Sequence, residues 1–255
     1  MLDISIIPAL TDNYIYLLQE PDSGLTAVVD PATSAPVMAE LQRRGLALNY
    51  IFNTHHHNDH IGANLELKVA TGCKIVGAKS DHSRIPGIDI ALGDGDRIAL
   101  GGETLAAIDT PGHTIGHIVY YSAGSNALFC GDTLFSLGCG RLFEGSAEQM
   151  WQSLQKLKAL PAETKIYCAH EYTEANARFA LTLEPGNPLL QERYAEVCQL
   201  RRSNAPSLPS TIGRELATNP FLREHSSEIR QNLALPTASA LAVFTAIRRQ
   251  KDRFR

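Results

Sequence analysis

Four of the chain's nine histidines, His55, His56, His57 and His60, fall within six residues, in the run Thr54-His-His-His-Asn-Asp-His60. Imidazole nitrogens and carboxylate oxygens are ligands that zinc, iron and manganese accept readily. Read as an extended segment, positions two apart share a side. His55, His57 and Asp59 then converge, while His60 projects differently and is available to a second ion. This is not the helical His-Glu-x-x-His arrangement, in which an i, i+4 pair meets on one zinc. A solvated polar loop would account for one isolated histidine. The alternation His-x-His-x-Asp-His directly after a strand-like run favours metal.

Three more donors arrive in the same way. His113 follows the run TLAAIDT within Thr110-Pro-Gly-His-Thr114, Asp132 closes NALFCGD, and His170 closes KIYCAH. Like the histidine run after NYIFNT, each stands at or just past the C-terminal end of a predicted strand, where a rigid sheet presents binding residues. Gly62, Gly112 and Gly131 allow tight turns at that edge. The seven donors His55, His57, Asp59, His60, His113, Asp132 and His170 are too many for one tetrahedral ion. They suit two divalent ions, each with three terminal ligands, plus one bridging carboxylate. Asp132, alone on its strand, is the natural bridge. His55, His57 and His113 fall to one ion, and Asp59, His60 and His170 to the other. Two dications less two carboxylates and one hydroxide leave a local charge of about +1, available to a developing oxyanion. His56 and His117 point away or brace the ligands, whose second ring nitrogens need partners. His82 and His225 lie outside any cluster. Cys130 and Cys168, two residues before ligands on the same strands, read as buried small apolar residues rather than soft ligands.

The elements that must place these donors are legible in the pattern. DISIIPA, NYIYLLQ, LTAVVD, NYIFNT, KIVGA, RIAL, TLAAIDT, HIVYYS, NALFCGD and KIYCAH read as strands closed by turn residues. Residues 34–44 read as a helix with Ser34 near its N-cap and Gly45 past its end, and residues 60–72 as another. Ser146 and Gln149 have capping-box spacing before a helix that Pro161 follows. After His170 the texture changes to helical stretches near 172–183, 188–203, 210–216, 226–233 and 237–250. The shift predicts an α+β body over 1–170 and a small helical domain over 171–255. Many strands with few helices fit two sheets packed face to face better than a doubly wound parallel sheet.

At 44% hydrophobic and 20% charged residues the chain is an ordinary folded protein rather than a disordered one. The net charge of −4 argues against nucleic acid as a partner. Cys73, Cys130, Cys139, Cys168 and Cys198 are odd in number, with no Cys-x-x-Cys pair, and read as free thiols in a reducing compartment. No run approaches the roughly 18 apolar residues of a membrane span, and no basic leader opens the sequence. The expectation is a cytoplasmic monomer with no membrane partner.

The run at 54–60, TPGHT at 110–114, GDTLF at 131–135 and the late His170 resemble the metallo-β-lactamase superfamily. ALTDNYIYLL at 9–18, GCGRLFEG at 138–145, AHEYT at 169–173 and RRQKDRF at 248–254 resemble, within it, the glyoxalase II (hydroxyacylglutathione hydrolase) family. The resemblance implies a four-layer αββα sandwich followed by a small all-α domain. It implies two divalent ions, zinc first, with iron or manganese as alternatives. The implied activity is hydrolysis of S-D-lactoylglutathione to D-lactate and glutathione, the second step of methylglyoxal detoxification. Some members carry Lys and Tyr where this chain has Arg141 and Phe143. Arg141 still donates to a carboxylate, whereas Phe143 keeps only packing.

The closing RRQKDRFR holds Arg248, Arg249, Lys251, Arg253 and Arg255. A solvated helix end is the plain reading, because cations suit the helix dipole there. With the resemblance, Arg248 and Lys251, three apart on one helix face, read as a grip for a glutathione carboxylate. Tyr172 and Arg141 are the other candidate contacts. The expected chemistry is attack of a metal-bridging hydroxide on the thioester carbonyl. Asp59 is expected to orient that hydroxide or accept its proton. A redox dioxygenase, a lactamase, a nuclease and a non-catalytic metal binder are the rivals. The complete second-ion ligand set, the anion-binding tail, the acidic net charge and the lack of a closing Cys set respectively disfavour them.

Overall fold

The computed structural model describes residues 1–254; Arg255 of the basic tail lies outside the described residues. Contacts divide the chain into two compact units. One comprises Met1–Thr110 with Ile115–Gly131, the other Pro111–Thr114 with the chain from Asp132 on.

In the first unit, β1 (Asp3–Ala9), β2 (Asn13–Gln19) and β3 (Thr26–Val29) pair antiparallel, with Ile6 opposite Tyr16 and Leu18 opposite Ala27. The helix α1 (Ser34–Arg44) leads to β4 (Tyr50–Phe52), which lies parallel to β3. Helices α2 (Asn58–Ile61) and α3 (Asn64–Thr71) lead on to β5 (Lys74–Ala78) and a parallel β6 (Ile88–Leu92). Parallel strands need crossovers, and α1 and α3 fill that role. Val37, Leu41 and Leu67 bury against Ile15, Leu17, Val28, Ile51 and Ile75, each side chain contributing about 1.5–3 kcal/mol. Gly45 and Gly72 close these helices in the left-handed region, at φ 66° and 73°, where a side chain is disfavoured. The single helix expected over 60–72 is broken at Gly62 and Ala63, the glycine being a poor helix former.

The second sheet of this unit is an antiparallel meander of β7 (Arg97–Leu100), β8 (Glu103–Asp109), β9 (Ile118–Ser122) and β10 (Ala127–Gly131). The two sheets pack face to face. Phe52 meets Tyr120 at 5.1 Å and Tyr16 meets Phe129 at 5.9 Å between ring centroids. The buried Tyr120 hydroxyl donates to the Asn53 carbonyl across 2.8 Å. This is the two-sheet arrangement that the strand-rich pattern favours over a doubly wound sheet.

The second unit holds a hairpin of β11 (Leu134–Phe135) and β12 (Gly138–Cys139), then α4 (Ala147–Lys158) and β13 (Lys165–Cys168). There follow α5 (Thr173–Leu183), α6 (Pro188–Arg202), β14 (Ser210–Thr211), α7 (Ile212–Thr218), α8 (Ser227–Asn232) and α9 (Ala240–Arg253). Ser146 and Gln149 form the reciprocal capping box, and α4 buries Met150, Leu154 and Leu157 on one face. Helices alone are expected after residue 170; β14, pairing with β13, is the exception, too short to leave a pattern. The weakly buried β6 is likewise absent from the strands read in sequence. No helix among the described residues is long and apolar enough to cross a membrane.

Candidate metal-binding site and substrate pocket

Each unit contributes a compact set of donors. In the first, His55 and His57 sit between β4 and α2, His55 in a bend and His57 in extended backbone, and His55 Nε2 stands 3.0 Å from His57 Nδ1. The alternation stops there. His57 is the N-cap of α2, so Asp59 belongs to a helical turn and not to the extended run. A helix rotates each residue by 100° rather than 180°, which turns Asp59 toward His60. Its Oδ2 lies 3.5 Å from His60 Nε2 and accepts from Asn13 Nδ2 at 3.1 Å. The helix therefore breaks the expected alternation of His55, His57 and Asp59: His55 faces His57, Asp59 faces His60, and the His55 and His60 rings stand 4.1 Å apart.

Asp30 organises this set from below. It accepts from the Thr54 amide at 2.8 Å and the Thr54 hydroxyl at 2.7 Å, and its Oδ2 lies 3.1 Å from His60 Nδ1. Nδ1 of His60 is thereby anchored, leaving Nε2 as its ligand atom, as ligating imidazoles require. Thr54 Oγ1 stands 3.1 Å from His55 Nδ1 and does the same there. His117 stacks on the His55 ring at 4.9 Å with its Nδ1 3.0 Å from Thr110 Oγ1, and His56 turns its Nδ1 to Asp81 at 2.9 Å. His117 thus packs on the His55 ring, while His56 turns away from the cluster toward Asp81. His82 and His225 are exposed.

In the second unit Asp132 follows Gly131, whose φ of 46° turns the chain out of β10. His113 Nε2 lies 3.3 Å from Asp132 Oδ2, and His170 Nε2 lies 3.4 Å from Asp132 Oδ1. One imidazole thus faces each carboxylate oxygen of Asp132. The Arg141 carbonyl, 2.7 Å from His113 Nδ1, fixes that ring. The His170 ring lies flat on Tyr172, at 4.7 Å and 1° between planes.

These separations test whether the donors fit a metal. Ligands about 2.0–2.1 Å from a tetrahedral ion stand about 3.3 Å from one another. The carboxylate–imidazole separations of 3.3, 3.4 and 3.5 Å match that edge better than a charge-assisted hydrogen bond of about 2.8 Å. With the far nitrogens of His55, His60 and His113 already anchored, the donor chemistry fits divalent cations.

Beside Asp132, within the second unit, opens a cleft of about 330 Å³ lined by Arg141, Phe143, Tyr172, Arg248 and Lys251 among others. All five residues predicted to contact substrate face it. Phe143 meets the His113 ring edge-on at 5.2 Å, a packing contact. The two cations predicted to act as a pair have different partners. Arg248, only 5% exposed, donates to the Cys139 carbonyl at 2.8 Å and pairs with Asp252 at 2.8 Å. It fixes the pocket wall. Lys251 lies over the rings of Phe179 and Phe254, with one long hydrogen bond to the Ala175 carbonyl at 3.4 Å. Burial, then the charges of Arg248, Arg178 and Arg141, lower its pKa to about 8.

Reading by residue type passes over Asp30, which looks like a strand-ending turn residue after LTAVV, and over Asn13 and Thr54. Only their position beside metal-ligand types could have flagged them. The cysteines are all free. Burial pushes the Cys139 thiol up to about 11 and Cys168 higher still, which suits packing and not nucleophilic attack.

A family model described as the metallo-beta-lactamase superfamily matches residues 10–170, and one described as hydroxyacylglutathione hydrolase C-terminus matches residues 171–254. A hydroxyacylglutathione hydrolase of Methylococcus capsulatus is 60% identical over 255 residues, covering 100% of both chains. One of Rhodospirillum rubrum is 51% identical over 253 residues, covering 99% of both. The crystal structure of ETHE1 from Myxococcus xanthus superposes with a TM-score of 0.67 at 23% identity, covering 100% of both chains. Together with the metallo-beta-lactamase superfamily match over residues 10–170, that likeness shows an α+β fold of this type, and the C-terminal match covers the helical part.

Proposed function

The chain belongs to the metallo-β-lactamase superfamily, in its hydroxyacylglutathione hydrolase branch, and from that premise we propose that it hydrolyses S-(2-hydroxyacyl)glutathione thioesters. S-D-lactoylglutathione is the chief substrate and D-lactate and glutathione are the products, the second step of methylglyoxal detoxification. The observation that carries this reading is Asp132, whose two oxygens each face a different imidazole.

In this reading His55, His57 and His113 would hold one divalent cation and Asp59, His60 and His170 a second, with Asp132 shared between them; zinc is the first choice, with iron or manganese as alternatives. When bound, such cations lower the pKa of water and polarise a carbonyl oxygen. The chain's own residues do the rest. Asp59, steadied by Asn13, orients the attacking water and accepts its proton. Lys251 and Arg141 bind glutathione carboxylates, while Tyr172 and Phe143 flank the acyl-thioester. The departing thiolate, with a pKa of about 8.5, needs no dedicated acid. This assigns the catalytic part to 1–170 and substrate binding to 171–255, a division supported by the junction of the two family matches. A cytoplasmic monomer without nucleic-acid or membrane partners completes the proposal.

The test is purified protein with S-D-lactoylglutathione, following loss of thioester absorbance beside metal content per chain. Turnover with two ions per chain is expected. One ion only, or no hydrolysis, would refute the proposal.

A further inference from the structure

Outside the ligands and the cleft, the first unit buries a carboxylate that the chemistry above leaves unused. Asp81, ending a 3-10 turn over Lys79–Asp81, is fully buried. Its Oδ2 lies 2.9 Å from His56 Nδ1, and its Oδ1 accepts from Arg84 Nε at 2.9 Å, with Arg84 Nη2 adding a second donor. Arg84 Nη1 stands 3.4 Å from His56 Nε2, so His56 has neighbours at both ring nitrogens. Against the same carboxylate sits Gly116, where an added Cβ would fall 1.9 Å from Asp81 Oδ1. Burying a charge is expensive unless every oxygen is engaged, so a fully buried aspartate with this many contacts is fixed in place.

What it fixes is the setting of a metal ligand. His56 is the single residue between His55 and His57, and Gly116 immediately precedes His117, whose ring stacks on His55. Asp81 thus touches the two segments that bound the His55 ring, one through a hydrogen bond and one through van der Waals contact. We propose that Asp81 is a positioning residue for metal binding: it locks His56 and Gly116 and thereby holds His55 and His57 at ligand spacing before an ion arrives. Without that lock the loop between β4 and α2 samples other conformations, and the ion must order it on binding. The proposal rests on the metallohydrolase reading and adds to it a residue that neither ligates nor lines the cleft.

The test uses the full chain as wild type, Asp81→Asn, Gly116→Ala and the double variant, each stripped of metal and titrated with Zn²⁺ against a chromophoric chelator. Asp81→Asn keeps the shape but cannot accept from both His56 and Arg84. Its zinc affinity is expected to fall about 10-fold or more. Gly116→Ala should fall in the same direction, and the double variant should bind no more weakly than the weaker single variant. Both changes should also lower the melting temperature of the metal-free protein, because Asp81→Asn leaves Arg84 against a neutral group and Gly116→Ala crowds the buried carboxylate, so zinc affinity is read at a temperature where every metal-free variant is folded. Co²⁺ in the site should give a visible spectrum altered in band shape between wild type and Asp81→Asn. Unchanged zinc affinity in the folded variants, or a Co²⁺ spectrum identical to that of the wild type, overturns the proposal. Should Asp81→Asn fail to fold, His56→Asn, which removes the imidazole's contacts and leaves the carboxylate with Arg84, is scored by the same criteria. A wild-type chain that binds no zinc refutes instead the reading beneath.

Discussion

If Lys251 holds a glutathione carboxylate as proposed, substrate binding should be sensitive to pH in a range where glutathione's own carboxylates stay ionised. The Lys251 ammonium sits over two aromatic rings and beside the guanidinium groups of Arg248, Arg178 and Arg141, with Asp252 as the opposing charge, and its pKa is lowered to about 8. A lysine so shifted carries its charge below that value and loses it above. The charged fraction then falls from about 0.9 at pH 7 to about 0.1 at pH 9. If only the ammonium holds the glutathione carboxylate, KM for S-D-lactoylglutathione should rise about tenfold over that interval. Lys251→Arg keeps its charge throughout, so its KM should stay level across the interval. Lys251→Met should show the high KM at both ends. Steady-state kinetics at intervals between pH 7 and 9 measures all three. In the proposed reading Lys251 would contact the glutathione carboxylate and not the thioester carbon, so kcat should follow one profile in all three proteins. A wild-type KM that stays level through pH 9, or a Lys251→Met enzyme that retains the slope, would remove Lys251 from the binding reaction.

Asp132→Ala should lose more than about 100-fold in kcat/KM and at least one metal per chain, since it removes both oxygens that face His113 and His170; unchanged metal content by elemental analysis would refute the bridge. Asp30→Asn cannot accept from both the Thr54 amide and hydroxyl while serving His60, so zinc affinity by chelator competition should fall about 10- to 100-fold. Ser146→Ala breaks the capping box of α4; it should remove about 1 kcal/mol and lower the melting temperature by about 2–4 °C, with activity at room temperature unchanged.

The donors were legible because metal chemistry restricts residue type, and because NYIFNT, TLAAIDT, NALFCGD and KIYCAH end where the donors begin. The strands themselves were legible where burial on both sides leaves an apolar run, as in β2 and β10. Legibility failed where a few residues decide. A two-residue strand such as β14 has no period to detect, and β6 alternates too weakly to stand out between turns. The start of α2 at Asn58 also escapes a pattern reading. The segment bends at Thr54 and His55 and becomes a helix from Asn58, and that choice sets the partner of Asp59.

The same distinction between type and place governs the groups that support the ligands. Each anchored imidazole has its second nitrogen on a different element: His60 on Asp30 after β3, His55 on the Thr54 hydroxyl after β4, and His113 on the main-chain carbonyl of Arg141. Only the first of these is a residue type that suggests metal chemistry, and the last is not a side chain at all. Arg141 therefore has two separable parts, a carbonyl that orients a ligand and a guanidinium, 61% exposed, that faces the cleft. Arg248 shows the converse, since its position on the helix face suggested a substrate cation while burial against Cys139 and Asp252 makes it part of the wall. Spacing along a helix selects which side chains can reach a site. The hydrogen-bonding capacity left after folding decides which of them could serve a ligand, and among the described residues Lys251, with its long bond to Ala175 and lowered pKa, carries a charge that a carboxylate would stabilise.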